Sequence, residues 1–349
     1  MDDLARRLTA SPSTFPHALD DRQDMLLLVE LSEAELARAS FLDQRVLTPT
    51  TRGQWVKRDE VQQRIGSLTK DDAHYIFHIG HVGSTLISRM VGEIGGTLAL
   101  REPLVLRDLV DMFANRAAPG AGGDLRPPAD MVGLLRILLS RTFRADQRAI
   151  IKATSFVSEI AERLVSAEAK AILISVSPES YMTTILAGEA SRRELDILTP
   201  ARLARLSARL PDMPYRSDRL DEGARVALAW LTESLSLRRA ADLLPPRAVL
   251  WIDFDRFLAD PFASLLSIAS HFGLALSPDQ AATIIRGPVM NQYSKAPEHR
   301  YNGDLRRQLQ QQAWHDHRET IRHGMHWLDE AMQRFPGASR ATLSAGTII

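Results

Sequence analysis

The chain of 349 residues contains no cysteine. Disulfides, thiolate nucleophiles and cysteine-bound metals are thereby excluded together. Neither sign of charge is in excess: Lys plus Arg and Asp plus Glu number 43 each. A global positive field for nucleic acid is absent, so any basic site must be local. No apolar run in the sequence approaches the ~18 residues a membrane-spanning helix needs. The opening Met1-Asp2-Asp3-Leu4-Ala5-Arg6-Arg7 lacks the apolar stretch of a secretion signal. These absences predict a cytoplasmic protein with no membrane span and no nucleic-acid partner. The rest is ordinary globular material, 45% hydrophobic and 25% charged, long enough for one large α/β domain with insertions or two small ones.

A more specific absence falls in His74-Tyr75-Ile76-Phe77-His78-Ile79-Gly80-His81-Val82-Gly83-Ser84-Thr85-Leu86. This stretch reads as a buried strand, a glycine turn and the opening of a helix. The first N–H groups of a helix have no intrahelical partner, and its dipole favours negative charge there. Gly80 and Gly83 permit a tight turn and close backbone approach to a phosphate, while Ser84 and Thr85 add hydroxyl donors. A nucleoside-triphosphate loop would place a lysine before the Ser-Thr pair, and none stands here. The turn therefore predicts an anion site of another phosphate chemistry.

Five short apolar runs, 75–79, 97–100, 149–152, 171–176 and 248–254, read as strands of a buried parallel sheet. Helical patterns at 84–94, 104–114, 131–143, 155–166 and 178–187 alternate with them. The expected architecture is an α/β, P-loop-type three-layer fold with a central, mostly parallel five-stranded sheet. Residues 188–247, with Leu and Arg interleaved, form a helical excursion expected to act as a lid. Residues 1–70 are read as an appended N-terminal subdomain, 71–335 as the main domain with a polar helical segment at 302–335, and 336–349 as a tail. The Gly-, Pro- and Ala-rich stretch 115–130 reads as a surface loop.

From the loop onward the chain resembles the sulfotransferase family, whose donor is 3′-phosphoadenosine 5′-phosphosulfate (PAPS). That family grips the phosphosulfate with a loop of the form Pro-Lys/Arg-Ser-Gly-Thr/Ser-Thr, and Gly80-His81-Val82-Gly83-Ser84-Thr85 stands in its place. Leu98-Ala99-Leu100-Arg101-Glu102-Pro103 is similar to the family's second strand exit. Asp253-Phe254-Asp255-Arg256-Phe257-Leu258-Ala259-Asp260-Pro261, followed by His271-Phe272-Gly273-Leu274, is similar to its late pattern. The likeness spans about residues 74–300. It implies that Gly80 to Leu86 hold the donor, and that PAPS and an acceptor are the partners, with no metal expected.

Two departures are visible. His81 occupies the position of the loop cation, and a histidine carries charge only when protonated. The family's Arg-Asp-Pro after the fourth strand, with a serine eight residues beyond the arginine, binds the donor's 3′-phosphate. Here the matching positions hold Val176-Ser177-Pro178 and Thr184. Thr184 keeps a hydroxyl, but another cation must replace the arginine. Arg192, Arg193, Lys295 and Arg300 are the candidates by position.

Sulfuryl transfer needs an in-line nucleophile, a base and donors for the leaving phosphate. Glu102, at a strand's carboxyl end, is the candidate base; Arg101 beside it could position it or the acceptor. Lys152 leaves the next apolar strand toward the same crevice and, with His81, is expected to stabilise the transferring group. Ser177-Pro178 reads first as a helix cap. His74 and His78 share a strand face too far apart for a zinc site, and His315, His317, His323 and His326 read as a solvated helix face. Two other readings compete. One is a P-loop phosphotransferase using Asp253 and Asp255 for magnesium; the other is a binding module that has lost catalysis.

Overall fold

The computed structural model describes residues 3–66, 68–117, 128–292 and 303–342. Three strands, β1 (Thr14–Asp20), β2 (Met25–Glu30) and β3 (Gly53–Lys57), make an antiparallel sheet in that order. The remaining five are β4 (His74–His78), β5 (Thr97–Arg101), β6 (Arg148–Lys152), β7 (Ala171–Ser175) and β8 (Val249–Asp253). Each coincides with an expected apolar run. Their order is β5-β6-β4-β7-β8, and every pairing is parallel. All five residues of β4 and of β7 are buried, as befits strands covered on both faces.

The order fixes the position of the loop. β4 is central: the chain leaves it toward β5 on one side and later fills β7 and β8 on the other. A crevice opens at the carboxyl end of the strands where such a reversal occurs, and the glycine loop leaves β4 at that end.

Residues before β4 share the core of the larger sheet. β1 packs on the helices Leu104–Ala117 and Pro128–Ser140. Buried Arg141 donates to the carbonyls of Leu8, Ser11 and Thr14 at 2.8, 3.1 and 2.5 Å.

The excursion contains two long helices of unlike character. Glu189–Arg209 runs beside the loop, whereas Glu222–Leu243 is buried from Val226 through Leu237. Between them Glu233, fully buried, receives Arg202 Nε at 3.1 Å and Arg205 Nη2 at 2.6 Å. Burial pushes the Glu233 carboxyl up, but Arg205 and Arg202 outweigh it and leave it lowered. The interleaved arginines are thus partly interior.

Two helical expectations are corrected. Stretch 155–166 is a 3-10 turn, Ser155–Ile160, followed by the short helix Ala161–Leu164. Ile160 leaves helical geometry at φ −121°, ψ 19°. The segment 302–335 is two helices, Gly303–Asp316 and Arg318–Arg334, and the second is not polar all round. It buries Ile321, Trp327, Leu328 and Ala331 and crosses Glu222–Leu243 at a contact of Gly324 with Gly223, where a Cβ on Gly223 would lie 2.4 Å from Thr320 O. Among the described residues no helix is long and apolar enough to cross a membrane.

Candidate donor-loop site

The loop is held in the left-handed region at three positions: Gly80 (φ 84°), His81 (φ 52°) and Gly83 (φ 66°). His78 pins its start. The ring Nδ1 accepts from Gly80 N–H at 2.9 Å, so Nε2 carries the hydrogen and donates to Ala153 O at 2.8 Å. Gly83 is the N-cap of helix Ser84–Gly92, and no side chain caps that helix. Its first-turn N–H groups are open to an anion. The tip of the Phe254 ring abuts Gly83: a Cβ there would fall 1.8 Å from Phe254 Cζ.

The loop side chains divide by direction. Val82 is buried, so it offers only backbone to a ligand, and Leu86 is half-buried on the first helical turn. Ser84 and Thr85 are both buried, and Thr85 Oγ1 has no hydrogen-bond partner among the described residues. His81 turns toward helix Glu189–Arg209, its Nδ1 3.3 Å from Ser191 Oγ and its Nε2 3.5 Å from the Glu194 carboxylate.

Glu102 and Lys152 come together. β5 and β6 run in register with Arg101 opposite Lys152, so the two exits lie side by side. Glu102 N–H donates to Lys152 O at 2.6 Å, and Lys152 Nζ donates to Glu102 Oε1. Lys152 is 1% exposed and Glu102 adopts φ 51°. Since β6 lies between β5 and β4, this pair sits one strand from the loop.

Arg101 does not position Glu102. Arg101 is buried and donates from Nη1 to Ala37 O at 2.9 Å and Ala39 O at 2.7 Å, closing the end of helix Glu33–Arg38. Burial first, then the nearby Arg89 charge, lowers its pKa to about 10.

The second anion position expected from sequence lies at helix Pro178–Leu186. Ser177 caps it, accepting from Ser180 N–H at 3.2 Å. Thr184 Oγ1 donates to Ser180 O at 2.8 Å and accepts from Gln310 Nε2 at 3.1 Å. Val176 is buried and its carbonyl accepts from Trp230 Nε1 at 3.0 Å. Arg192 pairs with Glu222 and Arg193 with Glu189, all four on the excursion. Lys295 and Arg300 lie outside the described residues.

A cation beside Thr184's helix that the sequence did not single out is Arg306. It stacks over Phe254 at 5.3 Å, pairs with Asp255 at 2.8 Å and reaches Ser180 Oγ at 3.4 Å. Phe254 therefore links it to Gly83. An adjoining cavity of about 320 Å³ is lined by Ser177, Ser180, Thr183, Asp255, Arg307 and Gln310. Also missed was Arg45, before β3. Its fork closes on Asp43, which raises its pKa against the effect of burial, and the charges of Glu102 and Glu194 add to the rise. No group of three or more His, Asp or Glu side chains converges as a metal site among the described residues.

Comparison with known proteins gives a likeness only in structure. No family model matches the chain, and no curated protein sequence does. A mouse sulfotransferase, SULT7A1, solved in complex with PAP, superposes with a TM-score of 0.40 at 14% identity, over 82% of this chain and 95% of that one. A sulfotransferase domain from the curacin biosynthetic pathway gives 0.39 at 13% identity, over 66% and 83%. Sulfotransferase STF1 of Mycobacterium tuberculosis gives 0.36 at 16% identity, over 65% and 74%. Each superposition is loose.

Proposed function

We propose that the protein is a sulfotransferase that moves the sulfuryl group of PAPS to a hydroxyl or amine of an acceptor. The observation that carries this reading is the Lys152–Glu102 pair set one strand from a glycine loop without lysine, at the reversal point of a parallel sheet. The acceptor oxygen or nitrogen attacks sulfur as its proton passes to Glu102. The bond from sulfur to the 5′-phosphate oxygen breaks, and its electron pair stays on the phosphate. Helix N–H groups with Ser84 and Thr85 stabilise that charge, where fixed donors act most strongly. Lys152 serves the transferring group, and His81 adds a donor from the loop.

Arg306 supports the same reading. The 3′-phosphate needs a cation in place of the one Val176 cannot supply, and Arg306 stands at the helix that carries Thr184. The magnesium-phosphotransferase reading fares worse. Asp253 Oδ1 accepts from both Asp255 N–H and Arg256 N–H at 2.9 and 3.0 Å, capping the helix that follows, and Asp255 is paired with Arg306.

Calorimetry with PAP, the desulfated donor (3′,5′-adenosine diphosphate), tests the proposal. Submillimolar binding is expected. No binding by folded protein at that concentration overturns the donor assignment, and magnesium-dependent ATP binding would replace it with the phosphotransferase.

A further inference from the structure

Helix Glu189–Arg209 is built in two unlike halves around Pro200. Beyond the proline, Arg202, Leu203 and Leu206 are buried, Arg202 and Arg205 close on Glu233, and Arg205 and Arg209 close on Glu159. That half is locked into the core. Before the proline, only Leu195 and Thr199 are buried, and Ile197 is 76% exposed. There the ties include ion pairs at the rim, Arg192–Glu222 at 2.6 Å and Arg225–Asp196 at 3.3 Å.

Both ends of the outer half are hinge material. Pro200 has no N–H for the Asp196 carbonyl, and helices bend most readily at such a residue. At the other end Gly188 is extended, φ −125° and ψ 122°. The segment 189–199 between these points lies on the donor loop through His81, which meets Ser191 and Glu194. His81 is also one of three non-glycine residues at positive φ among those described, so the surroundings dictate its placement.

We propose that residues 189–199 are a flap over the donor loop and that Glu194 is its positioning residue. With the flap down, Glu194 and Ser191 hold the His81 imidazole in place, and the position of the loop's side-chain cation is complete. With the flap up, His81 is released and the loop is open to the donor. The hinge and latch rest on geometry alone; the identity of the gated ligand rests on the donor reading above.

Limited trypsin digestion of the full chain tests it, since Arg192 and Arg193 lie on the flap and their side chains are 41% and 74% exposed. Cleavage at these two sites is expected to quicken about five-fold in Glu194→Gln and in His81→Asn, the upper range for a half-exposed ion pair. Asparagine is chosen because it tolerates the left-handed region. The double variant should be no faster than either single one, Glu194→Asp should recover most of the protection, and cleavage elsewhere should not change. Unchanged rates, or effects that add in the double variant, overturn the latch. In a second arm PAP should slow flap cleavage of the wild type; PAP that binds without slowing it overturns the gating. Failure of PAP to bind counts against the donor reading alone, because the first arm contains no ligand.

Discussion

Lys152 and Glu102 meet twice, main chain to main chain at 2.6 Å and side chain to side chain, across the exits of two parallel strands. Glu102 is held at φ 51°, a conformation that costs a non-glycine residue roughly 1–3 kcal/mol and persists only where the surroundings force it. The carboxylate is thus fixed, and the buried ammonium has its counter-charge. Glutamine at 102 keeps an oxygen for Lys152 Nζ but removes the counter-charge of a buried ammonium, so Glu102→Gln should still fold while losing up to ~3–5 kcal/mol in urea denaturation. Turnover should drop ~10²–10⁴-fold, the usual weight of a general base, with little change in PAP affinity. Initial rates beside calorimetry decide this, and a Glu102→Gln enzyme of wild-type rate removes Glu102 from the mechanism.

Gly83 carries two constraints, and alanine there should meet both. Its φ of 66° disfavours any Cβ, and the Phe254 ring already fills the Cβ position. Left-handed backbone costs an L-residue ~1–2 kcal/mol and overpacking ~1–3 kcal/mol. Gly83→Ala should therefore lose about 2–5 kcal/mol in urea denaturation. Adding Phe254→Ala relieves only the steric part, so the double variant should be more stable than the sum of the single losses predicts. Strict additivity would mean that Phe254 does not press on the loop.

Much of this arrangement was legible beforehand. The strands could be read because a strand buried on both faces has no polar face to interrupt its apolar run, as in Ala171–Ser175. The loop could be read because few residues other than glycine reach the backbone of Gly80 and Gly83. Arg306 could not, since it stands 126 positions from Ser180 and its spacing says only that it lies in a polar helix. Nor could the excursion be divided into an outer and an inner helix. Arginines that face buried Glu233 look in sequence like arginines that face water. Nor could the partners of Arg101 be read, since the Ala37 and Ala39 carbonyls stand 64 and 62 positions away.

Arg306 should discriminate PAP from a nucleotide lacking the 3′-phosphate. Its guanidinium is oriented by Phe254 and Asp255 and directed at Ser180 on the helix that also carries Thr184. A hydrogen bond to a charged group is worth ~1.5–3 kcal/mol. Arg306→Gln should weaken PAP binding by about 10- to 100-fold while adenosine 5′-monophosphate binds nearly as before. Equal losses for both nucleotides would place Arg306 in the fold rather than at the phosphate.

His74 should make the protein acid-sensitive. Its ring is buried against Phe272, with centroids 5.1 Å apart; Nδ1 accepts from Lys170 N–H at 3.1 Å and Nε2 donates to Phe272 O at 3.0 Å. Protonation would turn Nδ1 into a donor facing a donor. Burial, and after it the Arg148 charge, lowers the pKa from 6.5 to about 4. Between those values the unfolded chain binds a proton that the folded one refuses. Stability should therefore fall as the pH drops below about 6.5 and level off below about 4, by about 3 kcal/mol from this residue. His17 and His271 are also lowered by burial and tilt the curve the same way, so the comparison must be with a His74 variant. His74→Asn keeps an acceptor for Lys170 but cannot titrate. It should be less stable at pH 7, for want of the Phe272 contacts, and show a shallower decline between pH 6.5 and 4. Parallel urea-midpoint curves for the two proteins across that window would show that His74 is not the proton acceptor.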